Sequence, residues 1–550
     1  MKIPNYSFSV CLCLALAVAK QDAHGPNSLE DLPQISEKDF QNDHNLPKVD
    51  GNVNAVDWGS IDDGDGGVNE KVADIPVVSP ELGTQYDDID EGYETDWDKL
   101  EHDDEYVFTR NTRSVPKVPK NTKASDDIFY HQPTDIGTYA PGTVIRMREV
   151  TPETYPENVK NVYQYMVRST DSLGQPVGIV STVYVSSKGL GDKLLSFQVP
   201  TDSPCIDCAP SVDMADSMKK LEKPLAYGWN VIAPDFQGLN GAFGAARLAG
   251  QAVLDSVRGV LSTGKITGIS PDSKFAIWGY SGGSIATGWA ATLQPQYAPE
   301  LTNQLVGAAV GGWITDYDST IEAADGKLAA GLVGLALNGL AQQYTELVPI
   351  YKKYIRNAIK LKAILFGTKQ VCLTLGVFRF LGAQFFKGPR PYFQGGEKAL
   401  REPAVRKIIE DNRVAFRRET GMPECPLFLH HALKDNIAPL ADTKRVVHTY
   451  CDWGIRSFEV NFVKATGHMS ESRDGVPAVV AWIRDRFDGI EPVKGCQEKT
   501  WETLKEYPGI DKTYFKRDDT GLGTTSMEDL MFLDETDFES DFVRLFLPLA

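Results

Sequence analysis

The sequence predicts the α/β class: one mostly parallel sheet with helices on its faces and a helical region inserted late in the chain. Three observations carry this. Alternating, β-branched segments are followed by segments of helical spacing. A short apolar strand, Phe275-Ala276-Ile277-Trp278, runs through Gly279-Tyr280-Ser281-Gly282-Gly283 into a small-residue helix. A long stretch at about 320–420 is rich in Leu, Ala and Phe and nearly free of strand signals.

The chain begins with a polar start followed by the apolar run Phe8 to Ala19, which ends Ala17-Val18-Ala19. That run is too short to span a bilayer and fits a signal peptide over 1–19. Residues 20–105 hold 25 Asp and Glu against 5 Lys, a balance of −20, with few periodic apolar positions. Such a composition predicts an acidic, disordered propeptide over 20–113. Its end, Arg110-Asn111-Thr112-Arg113, is an R-x-x-R pattern open to a processing protease before Ser114. Lys516-Arg517 offers a similar site in an acidic tail, 498–550, whose balance is −7. The net charge of −19 therefore hides a body, Tyr106 to Gln497, that carries about +7.

Strand patterns follow at Val144 to Val150, Tyr163 to Arg168, Gly178 to Val185, Leu194 to Val199 and Trp229 to Asp235. Ala245 to Ser262 has helical spacing. The elbow strand comes next. Gly-x-Ser-x-Gly at a strand-to-helix turn leaves a serine hydroxyl exposed at a helix N-terminus, with the Gly282 N–H directed at an oxyanion. After a strand at Leu305 to Trp313, the segments Lys327 to Leu340, Leu347 to Phe366 and Val371 to Phe386 read as helices of a lid or cap. The sheet resumes at Pro426 to Ala432 and Phe458 to Val463, with helices at Leu440 to Tyr450 and Val476 to Phe487. An elbow serine placed after several strands suits an α/β-hydrolase.

A serine needs a histidine to take its proton and an acid to orient that histidine. Of the eight histidines, His24, His44, His102 and His131 precede the elbow. His430 and His431 lie inside a strand, and His448 lies inside a helix. His468 follows a late strand beside Gly467, where a general base belongs. Asp435 follows the preceding strand. Asp442 reads as a first-turn helix charge, and Asp316 and Asp318 as turn or capping residues. Ser281, Asp435 and His468 thus occur in the order serine, acid, histidine.

Six cysteines remain after the leader: Cys205, Cys208, Cys372, Cys425, Cys451 and Cys496. An even number in an oxidising compartment makes disulfides the default. Cys205-x-x-Cys208 stands between Pro204 and Pro210 with no second C-x-x-C to complete a zinc site. Neither a metal nor a cofactor is expected, nor a nucleic-acid partner.

From about Asp126 to Gly495 the chain resembles the fungal secretory lipases. The resemblance rests on Phe129-Tyr130 with Ile136-Gly137-Thr138, Asp202-Ser203 with Asp207-Cys208-Ala209-Pro210-Ser211, and Asp235-Phe236-Gln237-Gly238. Its densest part is Gly279-Tyr280-Ser281-Gly282-Gly283 with Tyr297-Ala298-Pro299-Glu300-Leu301. It implies an α/β-hydrolase catalytic domain over 126–497 with a helical lid. It also implies Ser281, Asp435 and His468 as the triad, Asp202 and the Gly282 N–H at the oxyanion hole, and disulfides Cys208–Cys372 and Cys451–Cys496. Cys205 and Cys425 fall outside that pattern. The implied activity is a secreted triacylglycerol lipase acting on acylglycerols or other esters at a lipid–water interface. The alternative is an esterase or deacetylase of a small acylated metabolite.

Overall fold

A computed structural model describes residues 123–151, 157–212 and 215–515. The leader, the acidic flank and the sites at Arg113 and Arg517 lie outside the described residues. Ten strands form one sheet: β1 Val144–Val150, β2 Val159–Thr170, β3 Pro176–Ser186, β4 Lys193–Gln198, β5 Asn230–Pro234, β6 Lys274–Tyr280, β7 Leu305–Gly311, β8 Leu427–Ala432, β9 Ser457–Val463 and β10 Gly495–Trp501. Their spatial order is β1-β2-β3-β5-β4-β6-β7-β8-β9-β10. β1, β2, β3 and β5 pair antiparallel, while β5 through β10 are parallel neighbours.

The helices are α1 Ala215–Ala226, α2 Ala246–Ser262, α3 Gly264–Thr267, α4 Gly282–Tyr297, α5 Tyr317–Ala324, α6 Ala330–Gln343, α7 Leu347–Tyr354, α8 Ala358–Leu365, α9 Leu373–Arg379, α10 Pro403–Asp411, α11 Leu440–Asp452, α12 His468–Asp474 and α13 Val476–Phe487. α2 and α4 pack on one face of the sheet, α1 and α13 on the other. The central strands are apolar on both sides because helices cover both faces. α4 is buried almost all round, and α2 crosses it at Gly250. A Cβ there would fall 2.7 Å from the Trp289 carbonyl carbon, so only glycine permits the approach.

The chain runs from β4 out to β5 and then back past β4 to β6. That reversal opens a crevice at the carboxyl ends of the strands, the usual ligand position in an open parallel sheet. Asp202 follows β4, Ser281 follows β6, Asp435 follows β8 and His468 follows β9, so all four reach the same edge.

Between β7 and β8 the chain inserts α5 to α10, which span the region read as a lid. The expected helix at Val371 to Phe386 is shorter: α9 stops at Arg379. Phe380 to Phe393 forms an irregular strap containing Gly382 and Gly388, both at positive φ. The strap is held by the buried Asp325 carboxylate, which accepts from the Phe385, Phe386 and Lys387 amides at 2.5, 2.9 and 3.0 Å. Phe380, Phe385 and Tyr392 pack together behind it.

The boundary drawn at 497/498 falls inside β10, which pairs with β9 through Trp501. Leu504, Tyr507 and Tyr514 then pack on the face covered by α13. β10 escapes the hydrophobic pattern because it is an edge strand with exposed charged side chains, which blunt an open edge. The structure joins Cys208 to Cys372 and Cys451 to Cys496, and leaves Cys205 and Cys425 as separate buried thiols.

Candidate active site

The elbow is built by close approaches that exclude side chains. A Cβ on Gly279 would fall 2.2 Å from the Gly283 carbonyl oxygen, and one on Gly283 would fall 2.1 Å from the Gln198 carbonyl oxygen. Ser281 sits between them at φ 52°, a left-handed conformation that costs a non-glycine residue on the order of 1–3 kcal/mol. Its N–H is held by the Gly311 carbonyl at 3.0 Å, and its carbonyl accepts from the Ser284 hydroxyl at 2.5 Å. The surroundings thus fix the strained turn. Gly282 opens α4, so its N–H has no partner within the helix.

His468 heads α12 and is buried. Its Nε2 lies 2.8 Å from Ser281 Oγ, and its Nδ1 lies 2.7 and 2.9 Å from the two Asp435 carboxylate oxygens. Asp435 also accepts from the Ile437 and Ala438 amides at 3.0 and 2.7 Å. Burial pushes this carboxyl up, but His468 and the amide donors outweigh it and hold the group below its ordinary value. A hydroxyl bonded to an imidazole, whose far nitrogen is bonded to a carboxylate, is the arrangement that activates serine for acyl transfer.

The competing residues are engaged elsewhere. Asp316 caps α5 and pairs with Arg413 at 2.7 Å, while Asp318 pairs with Arg406 at 2.8 Å. Asp442 accepts from Ser319. His448 is exposed on α11. His431 is buried with Nε2 3.1 Å from the Ala438 carbonyl, and burial lowers its pKa.

Asp202 is buried and stands at φ 47°. A Cβ on Gly282 would fall 1.6 Å from Asp202 Oδ1, so Asp202 lies directly against the elbow glycine. With its amide oriented to satisfy both neighbours, Gln237 accepts from the Asp202 N–H at 3.2 Å and donates to the Ser203 carbonyl at 2.6 Å. Two of the four non-glycine residues at positive φ among the described residues, Asp202 and Ser281, thus meet at Gly282.

Three further residues support the histidine. The Tyr280 hydroxyl donates to the His468 carbonyl at 2.6 Å. The Tyr280 ring sits between His468 and His430, with centroids 5.2 and 5.3 Å away. His430 Nδ1 is 2.8 Å from Glu471 on α12, and Glu471 also accepts from Thr466 at 2.8 Å. His430 fits because Gly311 and Gly475 lack side chains: added Cβ atoms would fall 2.1 and 2.3 Å from its ring nitrogens. None of this was foreseen from sequence. The one local signal is Glu471, placed three residues into the helix that His468 opens.

Ser281 opens onto an apolar pocket. Its walls come from the elbow side, Gly282 and Ile285, and from the lid helices, among them Ile321, Leu332, Ala336 and Leu340. Apart from Asp202, Ser281, Tyr317 and Thr320, the lining is aliphatic, aromatic or glycine.

Residues 210–495 match the family model described as secretory lipase. Lipase 5 of Candida albicans is 38% identical over 414 residues, covering 72% of this chain and 88% of that protein. Lipase A of Arthroderma benhamiae is 33% identical over 398 residues, covering 68% and 82%. The X-ray structure of Candida antarctica lipase A in its closed state matches with a TM-score of 0.64 at 27% identity, over 72% of this chain and 94% of that one. Identity at this level, over this much of both partners and on the same α/β-hydrolase sheet, makes the chain a member of the secretory lipase family and an ester hydrolase.

Proposed function

We propose that the protein is a secreted triacylglycerol lipase whose nucleophile is Ser281. The observation that carries this reading is the apolar cavity that begins at the Ser281 hydroxyl and is roofed by lid helices. A lining this apolar suits an acyl chain better than a short polar acid. His468 takes the Ser281 proton as Oγ attacks the ester carbonyl, then gives that proton to the departing alcohol. Asp435 keeps His468 in the required tautomer and stabilises the imidazolium. Water, deprotonated by His468, then cleaves the acyl-enzyme and releases the fatty acid.

The oxyanion is assigned to the Gly282 N–H and to Asp202. A carboxylate would repel the developing charge, and the Asp202 N–H is turned to Gln237. The Asp202 carboxyl can contribute there only in its proton-bearing form. Asp202→Asn keeps a donor of the same size and retains more activity than Asp202→Ala. Extracellular location, release of the 20–113 flank by a protease acting at Arg113, and cleavage after Arg517 belong to the same reading. They rest on the leader and the basic sites.

Fluorophosphonate labelling of the secreted protein with intact-mass analysis reports the nucleophile and both processed ends. Loss of labelling and of p-nitrophenyl ester hydrolysis in Ser281→Ala is the required result, and retained hydrolysis overturns the assignment. Hydrolysis of triolein emulsions in preference to soluble acetate esters supports a lipase. The reverse preference makes the protein an esterase of small acylated metabolites.

A further inference from the structure

The outer surface of the lid has an unusual charge. Residues 347–396 contain nine Lys and Arg and no Asp or Glu, in a chain whose net charge is −19. Among the described residues, acids take two of these cations: Glu402 pairs with Lys353 at 2.7 Å, and Glu322 and Glu397 with Lys387 at 2.8 and 3.9 Å. Lys352, Arg356 and Lys362 are exposed and form no ion pair among the described residues.

Large apolar side chains stand among these cations. Ile359 is 80% exposed, Phe366 54% and Leu375 62%. Ile359, Lys362 and Phe366 fall at i, i+3 and i+7 along α8 and the turn that follows it, so they share one stripe. Leu375, Phe378 and Arg379 fall at i, i+3 and i+4 on α9. The two stripes meet where the Arg379 guanidinium donates to the carbonyl of Gly367, next to Phe366, at 2.6 Å.

The opposite side of α9 packs on α6. A Cβ on Gly331 would fall 2.2 Å from the Val377 Cα, so the two helices touch backbone to backbone. α6 supplies Leu332, Ala336 and Leu340 to the cavity wall. The base of α9 is tied to the loop that carries Asp202. Cys372 is bonded to Cys208, and the Val371 carbonyl accepts from the Ser203 hydroxyl at 2.8 Å.

We propose that this face, α7 through α9, is a docking surface for anionic lipid, seating the lid on a membrane or droplet that exposes negatively charged headgroups. Cations meet the headgroup charge while Ile359, Phe366 and Leu375 enter the acyl boundary, the division of labour by which amphipathic surfaces bind interfaces. Lipid fits better than an acidic protein because side chains this exposed project outward and need a deformable partner. The body from Tyr106 to Gln497 carries about +7, and residues 347–396 alone carry nine cations and no acid, so its excess positive charge is concentrated on this face.

The test uses the full chain carrying Ser281→Ala, so that lipid turnover plays no part and the result is independent of the hydrolytic reading. Co-sedimentation is measured with phosphatidylcholine vesicles with and without phosphatidylglycerol, across a salt series. The expected result is preferential binding to the anionic vesicles, weakened by salt. In Lys352→Gln/Arg356→Gln/Lys362→Gln, partitioning falls about five-fold per charge removed. Ile359→Ser/Phe366→Ser weakens binding further. In the Ser281-containing parent, these surface changes leave hydrolysis of a soluble short-chain ester unchanged, which shows that the fold is intact. Equal binding to neutral and anionic vesicles, or unchanged partitioning in the charge variant, overturns the proposal. Equally tight binding of soluble polyglutamate that ignores the Ile359 and Phe366 changes also overturns it, in favour of an acidic polypeptide partner.

Discussion

Tyr280, the variable residue ahead of the elbow serine, holds His468 by its backbone: the phenol donates to the His468 carbonyl at 2.6 Å and the two rings lie 5.2 Å apart. The residue next to Ser281 thereby fixes the imidazole that lies against the Ser281 hydroxyl. Tyr280→Phe keeps the ring packing and deletes the hydrogen bond, which is worth about 1 kcal/mol. The expected outcome is a fall in kcat of roughly five- to tenfold with little change in KM, because the lost contact orients His468 and touches no substrate. Steady-state kinetics on a soluble ester decides it, and a change confined to KM would count against the assignment.

Behind Tyr280, the His430–Glu471 pair is the next support. Glu471→Ala strands His430 Nδ1 and the Thr466 hydroxyl in the interior, at a cost of roughly 1–3 kcal/mol for each buried group left unsatisfied. Because Glu471 lies on the helix that His468 opens, kcat falls with stability. Glu471→Gln retains an acceptor and recovers most of both. Urea unfolding alongside kcat for the two variants checks this. Equal destabilisation with an unchanged kcat would mean that the pair supports the fold alone.

The contrast between these supports and the triad shows what the sequence could convey. Ser281, Asp435 and His468 were legible because each follows a recognisable apolar strand, and a parallel sheet brings strand ends to one edge. Tyr280, His430 and Glu471 were not. Their roles depend on which way a buried ring turns and on a contact across 41 residues, and neither leaves a periodic trace. β10 stayed hidden for the opposite reason: its alternation is polar because it is an edge. The lid was legible as helix-rich, but the segment read as helical from Val371 to Phe386 leaves the helix after Arg379, where the buried Asp325 carboxylate holds the amides of residues 385–387 in a strap.

The cavity gives the acyl specificity a structural handle. Ala336 is a small residue in its wall on α6. In Ala336→Phe the added ring occupies space that a long chain would fill, while the carbonyl end at Ser281 stays open. Relative kcat/KM shifts toward short acyl chains by roughly tenfold or more, the discrimination a hydrophobic pocket achieves over a few methylenes. A p-nitrophenyl ester series from butyrate to palmitate measures the shift. A uniform loss across the series would place Ala336 outside the acyl path.

Asp235 gives the fold a pH dependence separate from the triad. It is buried, and burial pushes its carboxyl from 3.8 up to about 7, against donation from the Ser211 hydroxyl and amide at 2.5 and 2.9 Å. A carboxyl raised in the folded state holds its proton there while the unfolded chain has released it. Its stabilising contribution is complete below about pH 4 and is lost as the pH rises through about 7, by at most roughly 4 kcal/mol. Asp235→Asn is neutral at every pH and removes this slope, so the variant gains on the parent as the pH rises from about 4 to about 7. Asp435 acts with the opposite sign. Its lowered carboxyl contributes stability above the ordinary carboxylate range, which is lost on acidification. Urea midpoints of the parent and Asp235→Asn, taken across that interval, distinguish the two groups. Parallel curves would show that Asp235 is already ionised throughout.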